Sequence, residues 1–173
     1  MMRYAIAIGA TLLAISARPA MAQTTAGHDE RFVKEASAGG NSEVELGKIA
    51  ADRASNPQVK AFGQRMVDDH SKAGTELAAL AQSKHIAVSE QVDPKARALK
   101  ERLMTLQGAA FDRAYMDAMV KDHEEDVQAF QTEAQTGTDP EVKRWANSAL
   151  PTLQEHLRLA RDAERAVNMS AQK

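Results

Sequence analysis

Three histidines stand where a helical protein ordinarily places apolar side chains. His70 falls in the series Val59, Phe62, Met66, His70, Gly74, Leu77. His123 falls in Tyr115, Met119, His123, Val127, Phe130, Ala134, and His156 in Val142, Trp145, Ala149, Leu153, His156, Ala160, Ala163. These series repeat every three or four residues, the spacing of one helix face turned to a core. A fourth series, Phe32, Ala36, Gly39, Glu43, Leu46, Ala50, carries a glutamate at the equivalent place, and Asp126 lies one turn beyond His123. A buried imidazole or carboxylate is unfavourable unless it is paired or ligated. If the four faces meet, Glu43, His70, His123, Asp126 and His156 offer nitrogen and oxygen donors suited to a single Zn, Fe, Mn or Cu ion. The alternative is a structural polar core, in which the histidines hydrogen-bond to Glu43, Asp126, Tyr115 or backbone and only fix helix register.

The elements that must position these residues are legible from their ends. Ser55-Asn56-Pro57 and Thr138-Asp139-Pro140 each pair a polar cap with a proline in the first helical turn, and Asp93-Pro94 does the same. Long helices are expected over residues 30–54, 57–83, 109–135 and 140–168, with a short one over 94–106. Asn56-Pro57-Gln58-Val59-Lys60-Ala61-Phe62 aligns without gaps on Asp139-Pro140-Glu141-Val142-Lys143-Arg144-Trp145. Carried upstream, the register pairs Phe32 with Tyr115 and Glu43 with Asp126, so a duplicated helical hairpin is expected. Residues 84–108 are long enough to cross the bundle lengthwise, which favours a crossover topology. Glu43 and His70 lie at similar distances from the first turn. His123 and His156 lie about the second, offset by on the order of 4 Å at the helical rise.

Composition agrees with an all-α class: Ala, Leu, Met, Glu, Lys and Gln are abundant, and aromatics make up 4% of the 173 residues. With no cysteine, disulfides and thiolate ligands are excluded. The formal charge of -2 is spread over interspersed residues of both signs, leaving no basic stripe for nucleic acid and no polybasic membrane patch. Arg3, the apolar run over residues 5–15 and the small-residue pattern Ala20-Met21-Ala22 read as an export signal. Cleavage after Ala22 is expected, giving a periplasmic or secreted protein with no transmembrane segment. The expected plan is a signal over residues 1–22, a flexible leader over 23–29, the bundle over 30–168 and a tail over 169–173.

Met66-Val67-Asp68-Asp69-His70, Asp122-His123 and Leu150-Pro151-Thr152-Leu153-Gln154-Glu155-His156 together resemble domain-of-unknown-function family 4142, from about Arg31 to Ala166. The resemblance implies a ferritin-like four-helix bundle in exported bacterial proteins and implies no activity. Paired Glu-x-x-His motifs, which carry two metals in many ferritin-like proteins, are absent. His123-x-x-Asp126 has the reverse order. One metal or none is therefore expected, with a role in metal binding, buffering or envelope stress. Without a nucleophile motif or a phosphate-binding glycine loop, an enzyme ranks last. A non-catalytic interaction module, binding a protein partner in the envelope, is the competing class.

Overall fold

Asparagine and aspartate caps, each followed by proline, start three of the helices. The computed structural model describes residues 21–170, with side chains from residue 27 onward. In chain order the helices are α1 (Met21–Arg53), α2 (Pro57–Lys84), α3 (Pro94–Met104), α4 (Gly108–Thr136) and α5 (Pro140–Ser170). Among the described residues there is no strand. Asn56 Oδ1 accepts from the Gln58 amide at 2.8 Å, Asp93 Oδ1 from Lys95 at 2.6 Å, and Asp139 Oδ1 from Glu141 at 2.8 Å. Proline follows each cap without penalty, because the amide it lacks would have had no partner in the first turn. α2 ends at His85, whose left-handed backbone (φ 56°) returns its amide to the carbonyls of Ala81 and Gln82.

The two hairpins, α1–α2 and α4–α5, are built alike and close one another. Asp112 of α4 reaches the first turn, where it accepts from the Ser55 and Asn56 amides at 2.9 Å each and from the Ser55 hydroxyl. Asp29 of α1 reaches the second turn, accepting from the Thr138 amide at 2.9 Å, the Asp139 amide at 2.8 Å and the Thr138 hydroxyl. The repeat register seen in the sequence superimposes these two sets residue for residue. It also superimposes Lys60 Nζ donating to the Asp52 carbonyl on Lys143 Nζ donating to that of Gln135. The edge-on pair Phe62–Tyr115 matches Phe32–Trp145, both with ring centroids 6.2 Å apart. The duplicated hairpin is thus present in three dimensions as well as in sequence.

Those contacts fix the topology. The start of α4 lies at the first turn and the start of α1 at the second, so α1 and α4 run antiparallel. Lys84, at the end of α2, pairs with Asp139 at 2.8 Å beside the second turn. The chain must then return the full length of the bundle to begin α4. It does so along α1: the Ser89 amide donates to Ser37 Oγ at 2.7 Å, the Asp93 amide to Ser42 Oγ at 2.8 Å, and Arg53 to the Leu106 carbonyl at 3.3 Å. α3 lies within this crossover, and the fold is the expected ferritin-like four-helix bundle.

Helix ends differ from the sequence expectation by at most two residues, except at the start of α1. Residues 23–29, expected as a flexible leader, continue α1, whose Asp29 is tied to the second turn. α5 runs through Pro151 to Ser170, past the expected limit of 168. Residues 1–20 of the expected export signal, which was placed over 1–22, lie outside the described residues. Residues 171–173 of the expected tail lie outside them as well.

The core divides into two apolar clusters. One surrounds the first turn and holds Leu46, Val59, Phe62, Met66, Leu103, Phe111, Tyr115, Met119 and Ala160. The other surrounds the second turn and holds Phe32, Val33, Leu77, Phe130, Val142, Ala146 and Leu153. At Gly47 and Gly63 the backbones of α1 and α2 nearly touch: a Cβ on Gly63 would sit 2.8 Å from the Ala51 amide nitrogen.

Two stability measurements test this architecture. Asp29→Ala and Asp112→Ala should each lower the unfolding free energy in urea by about 2–3 kcal/mol, as three charge-assisted hydrogen bonds vanish at a helix start. A loss at only one of them would contradict the reciprocal closure. Gly63→Ala should cost about 1–3 kcal/mol through overpacking against α1.

Candidate functional site

Between the two apolar clusters lies a polar layer, with one side chain from each long helix. Glu43 of α1, His70 of α2, His123 of α4 and His156 of α5 are buried together there. One helical turn in one direction along these faces are Leu46, Met66, Met119 and Ala160; the opposite turn carries Val127 and Leu153. The three imidazole rings have centroids 5.3, 5.4 and 6.0 Å apart. One ring nitrogen from each histidine lies within 4.8 Å of the others. Glu43 Oε2 is 2.8 Å from His70 Nε2, and Oε1 is 3.1 Å from His123 Nε2.

Hydrogen bonds on the outer sides of two rings fix which nitrogens keep their lone pairs. His123 Nδ1 lies 2.9 Å from the Met119 carbonyl, and His156 Nε2 lies 2.8 Å from Asp69 Oδ2. A carbonyl or carboxylate can only accept, so each of these nitrogens carries the proton. The inward nitrogens are left bare in the neutral rings. His123 Nε2, His156 Nδ1, His70 Nε2 and both Glu43 oxygens are buried with no hydrogen-bond partner among the described residues. Glu43 thus lies against two imidazoles, His70 and His123. Each orphaned buried polar atom costs about 1–3 kcal/mol.

Burial also sets the charges. It pulls the His70 and His156 imidazoles down to about 4, in His156 against the raising influence of Asp69. His123 is lowered by burial too, against the pull of Glu43 and with the other two rings adding to the shift. Burial pushes the Glu43 carboxyl up to about 8, opposed by His123 and reinforced by Asp122. At neutral pH the layer therefore presents three uncharged imidazoles and a carboxyl that retains a proton. Such a set is able to accept a cation in place of that proton, with the outer hydrogen bonds holding the rings in position.

A cleft of about 800 Å³ leads to this layer, lined by Gly39, Gly40, Gly74, Trp145 and Thr152 and floored by Glu43, His70 and His156. A Cβ on Gly39, Gly40 or Gly74 would meet nothing within 4 Å, so these positions keep the passage wide. Asp126 lines the cleft, and its carboxyl is raised well above the usual range by burial and by Glu43, Asp122 and Glu125. Its oxygens are not among the donors that come together. Of the five residues singled out in the sequence, the structure gathers Glu43, His70, His123 and His156, and sets Asp126 on the cleft wall. Asp69 had only its place beside His70 to mark it. Its contact with His156 depends on how α2 packs on α5. His85 stays apart as the α2 cap.

A second group, His28, Asp29 and Glu133, was not foreseen. His28 lay in the expected leader, and Glu133 stands one residue off the α4 apolar series, so periodicity gave no signal for either.

The sequence matches, over residues 14–163, the family profile described as a domain of unknown function, DUF4142. No curated protein matches it significantly. Among solved structures, a DUF305 protein from Streptomyces coelicolor superposes with a TM-score of 0.69 at 18% identity, covering 82% of this chain and 92% of its own. A DUF305 fragment from Deinococcus radiodurans gives 0.69 at 17% identity, with 82% and 96% covered. CopM in its Cu(II)-bound form gives 0.67 at 14% identity, with 80% and 96% covered. At these identities the likeness is one of fold.

The orphaned layer has a thermodynamic signature in metal-free protein. Glu43→Gln, which replaces a carboxyl that burial already holds protonated with a neutral amide of the same shape, should leave the urea midpoint near pH 7 unchanged. His123→Ala, which empties a fully buried position, should lower stability by about 2–4 kcal/mol. An equally large loss for Glu43→Gln would mean that the layer satisfies itself without a ligand.

Proposed function

Because the chain belongs to the DUF4142 family, whose description names no activity, we propose its function from the polar layer: it binds one transition-metal ion through His70 Nε2, His123 Nε2, His156 Nδ1 and Glu43. The observation that carries this reading is the gathering of three buried imidazoles, with His123 Nε2 and His156 Nδ1 turned inward without a proton, around the Glu43 carboxyl that lies against His70 and His123. Removing a neutral imidazole and a carboxyl from water is unfavourable, and a cation bound between them repays that desolvation directly. The outer contacts of His123 with the Met119 carbonyl and of His156 with Asp69 are the kind that orient metal-binding imidazoles.

The donor set is three nitrogens and a carboxylate oxygen. With no cysteine in the chain, and with Met66 and Met119 in the apolar cluster, it suits a borderline divalent ion such as Zn, Cu(II), Fe or Mn better than Cu(I). The Cu(II)-bound form of CopM, a protein of the same fold, supports metal as the ligand class. The cleft gives the ion a route in and out, with Asp126 on its wall beside Glu43. That arrangement fits holding and exchanging an ion, as in buffering or envelope stress, better than catalysis. Export fits the Arg3-led apolar segment and the Ala20-Met21-Ala22 pattern. No helix of the described residues is long and apolar enough to cross a membrane.

Elemental analysis of the mature protein tests the reading. About one equivalent of a single metal is expected at the histidine layer, and His70→Ala/His123→Ala should hold one equivalent less than wild type. Asp69→Ala, which frees the His156 ring, should weaken affinity about 10–100-fold. Should wild-type protein take up no Zn, Fe, Mn or Cu at this layer, the histidines are a structural polar core, and a protein partner becomes the object of search.

A further inference from the structure

The pseudo-symmetry of the two hairpins provides an internal control for the second polar group. At the first turn, the positions around the capping Asp112 are Phe111, Ala50 and Ala54, all buried and apolar. At the second turn, the same positions around Asp29 are His28, Glu133 and Gly137. The backbone is equivalent: the Ala54 amide donates to the Ala50 carbonyl at 3.0 Å, and the Gly137 amide to the Glu133 carbonyl at 2.9 Å. The first turn therefore shows that neither an imidazole nor a second carboxylate is needed to close such a turn. Apolar residues do it.

The substituted positions bring together a distinct chemistry. His28 Nδ1 lies 3.0 Å from Glu133 Oε2 and 3.8 Å from Asp29 Oδ1. One donor atom from each of the three residues lies within 4.8 Å of the others. The Glu133 side chain is 0% exposed, and neither of its oxygens has a hydrogen-bond partner among the described residues. A Cβ at Gly137 would overlap its carboxyl group, so glycine is what admits Glu133 there. His28 is 32% exposed and opens the group to solvent. Burial and the neighbouring Asp29 raise the Glu133 carboxyl to about 7, so a divalent cation would take the place of its proton and balance both carboxylates.

We propose that His28, Asp29 and Glu133 form a second divalent-cation site, at the second-turn end of the bundle and separate from the histidine layer. One imidazole and two carboxylates suit a borderline or hard ion such as Zn²⁺, Mn²⁺ or Fe²⁺, with the remaining positions open to water on the His28 side. Measured along α1, Asp29 and Glu43 are roughly 20 Å apart at the helical rise, so the two sites cannot share an ion. An ion here would also bridge α1 to α4 beside the Asp29 closure, adding to stability by mass action.

Zinc titration of the mature chain, followed by calorimetry and elemental analysis, tests the site. Wild-type protein should bind two equivalents and His28→Ala one. The triple variant His70→Ala/His123→Ala/His156→Ala should keep one equivalent, which adding His28→Ala removes. Glu133→Gln should weaken this second binding about 10-fold or more, as a charged ligand becomes neutral. Nitrogen NMR of the His28 ring in the triple variant should show Nδ1 shifting on zinc addition. Equal zinc stoichiometry and affinity in wild-type protein and His28→Ala would overturn the proposal, and this comparison decides it even if the triple variant does not fold. Failure of the histidine layer alone would look different: the triple variant would bind as much zinc as wild type, while His28→Ala still lost one equivalent.

Discussion

Each hairpin turn is closed by a carboxylate from the other hairpin, and the level at which the histidines meet depends on that exchange. Asp29 and Asp112 bind turn amides that helices α5 and α2 would otherwise leave without partners, so they fix where each hairpin begins along its neighbour. A slip of one hairpin past the other by a single helical turn would break both closures. It would also separate Glu43 from His123 by about 5 Å. The register of the bundle and the assembly of the polar layer are therefore set by the same two side chains.

Around that register the core is built as two apolar clusters with a polar layer between them. The clusters exclude water on both sides of the layer, which lowers the imidazole pKa values and raises that of Glu43. Low polarity makes the orphaned donors expensive in the absence of a ligand and strengthens their hold on a cation. The cleft relieves this isolation on one side only. Its glycines leave the Glu43, His70 and His156 face open, while His123 is fully enclosed.

The two halves match in scaffold and differ in chemistry. Turn closures, lysine-to-carbonyl contacts and one aromatic pair superimpose. The chemically distinctive residues do not: the repeat register sets His123 opposite Gly40, His70 opposite Leu153, and Glu133 opposite Ala50. A symmetric two-metal centre would need equivalent ligands from both halves, and this chain has one histidine in α2, one in α4 and one in α5 about a single glutamate. Duplicated architecture here carries unduplicated sites.

The sequence by itself determined the all-α class, the long helices to within a few residues over most of their ends, the hairpin repeat and the crossover. Caps, prolines and apolar periodicity are local signals that survive without knowledge of packing. It also singled out Glu43, His70, His123 and His156, because a polar residue on an apolar stripe is anomalous in one dimension. Only the tertiary structure decided which nitrogen of the His123 and His156 rings faces inward, since that depends on the Met119 carbonyl and on Asp69 reaching across from α2. It alone placed Asp126 on the cleft wall rather than among the gathered donors, because a helical turn carries its carboxyl away from the point where the rings converge. The His28, Asp29 and Glu133 group was invisible for a related reason. Its members come from helices α1 and α4, remote in sequence, and stand off the periodic faces. A turn of the opposite hairpin brings them together, and no local pattern encodes that contact.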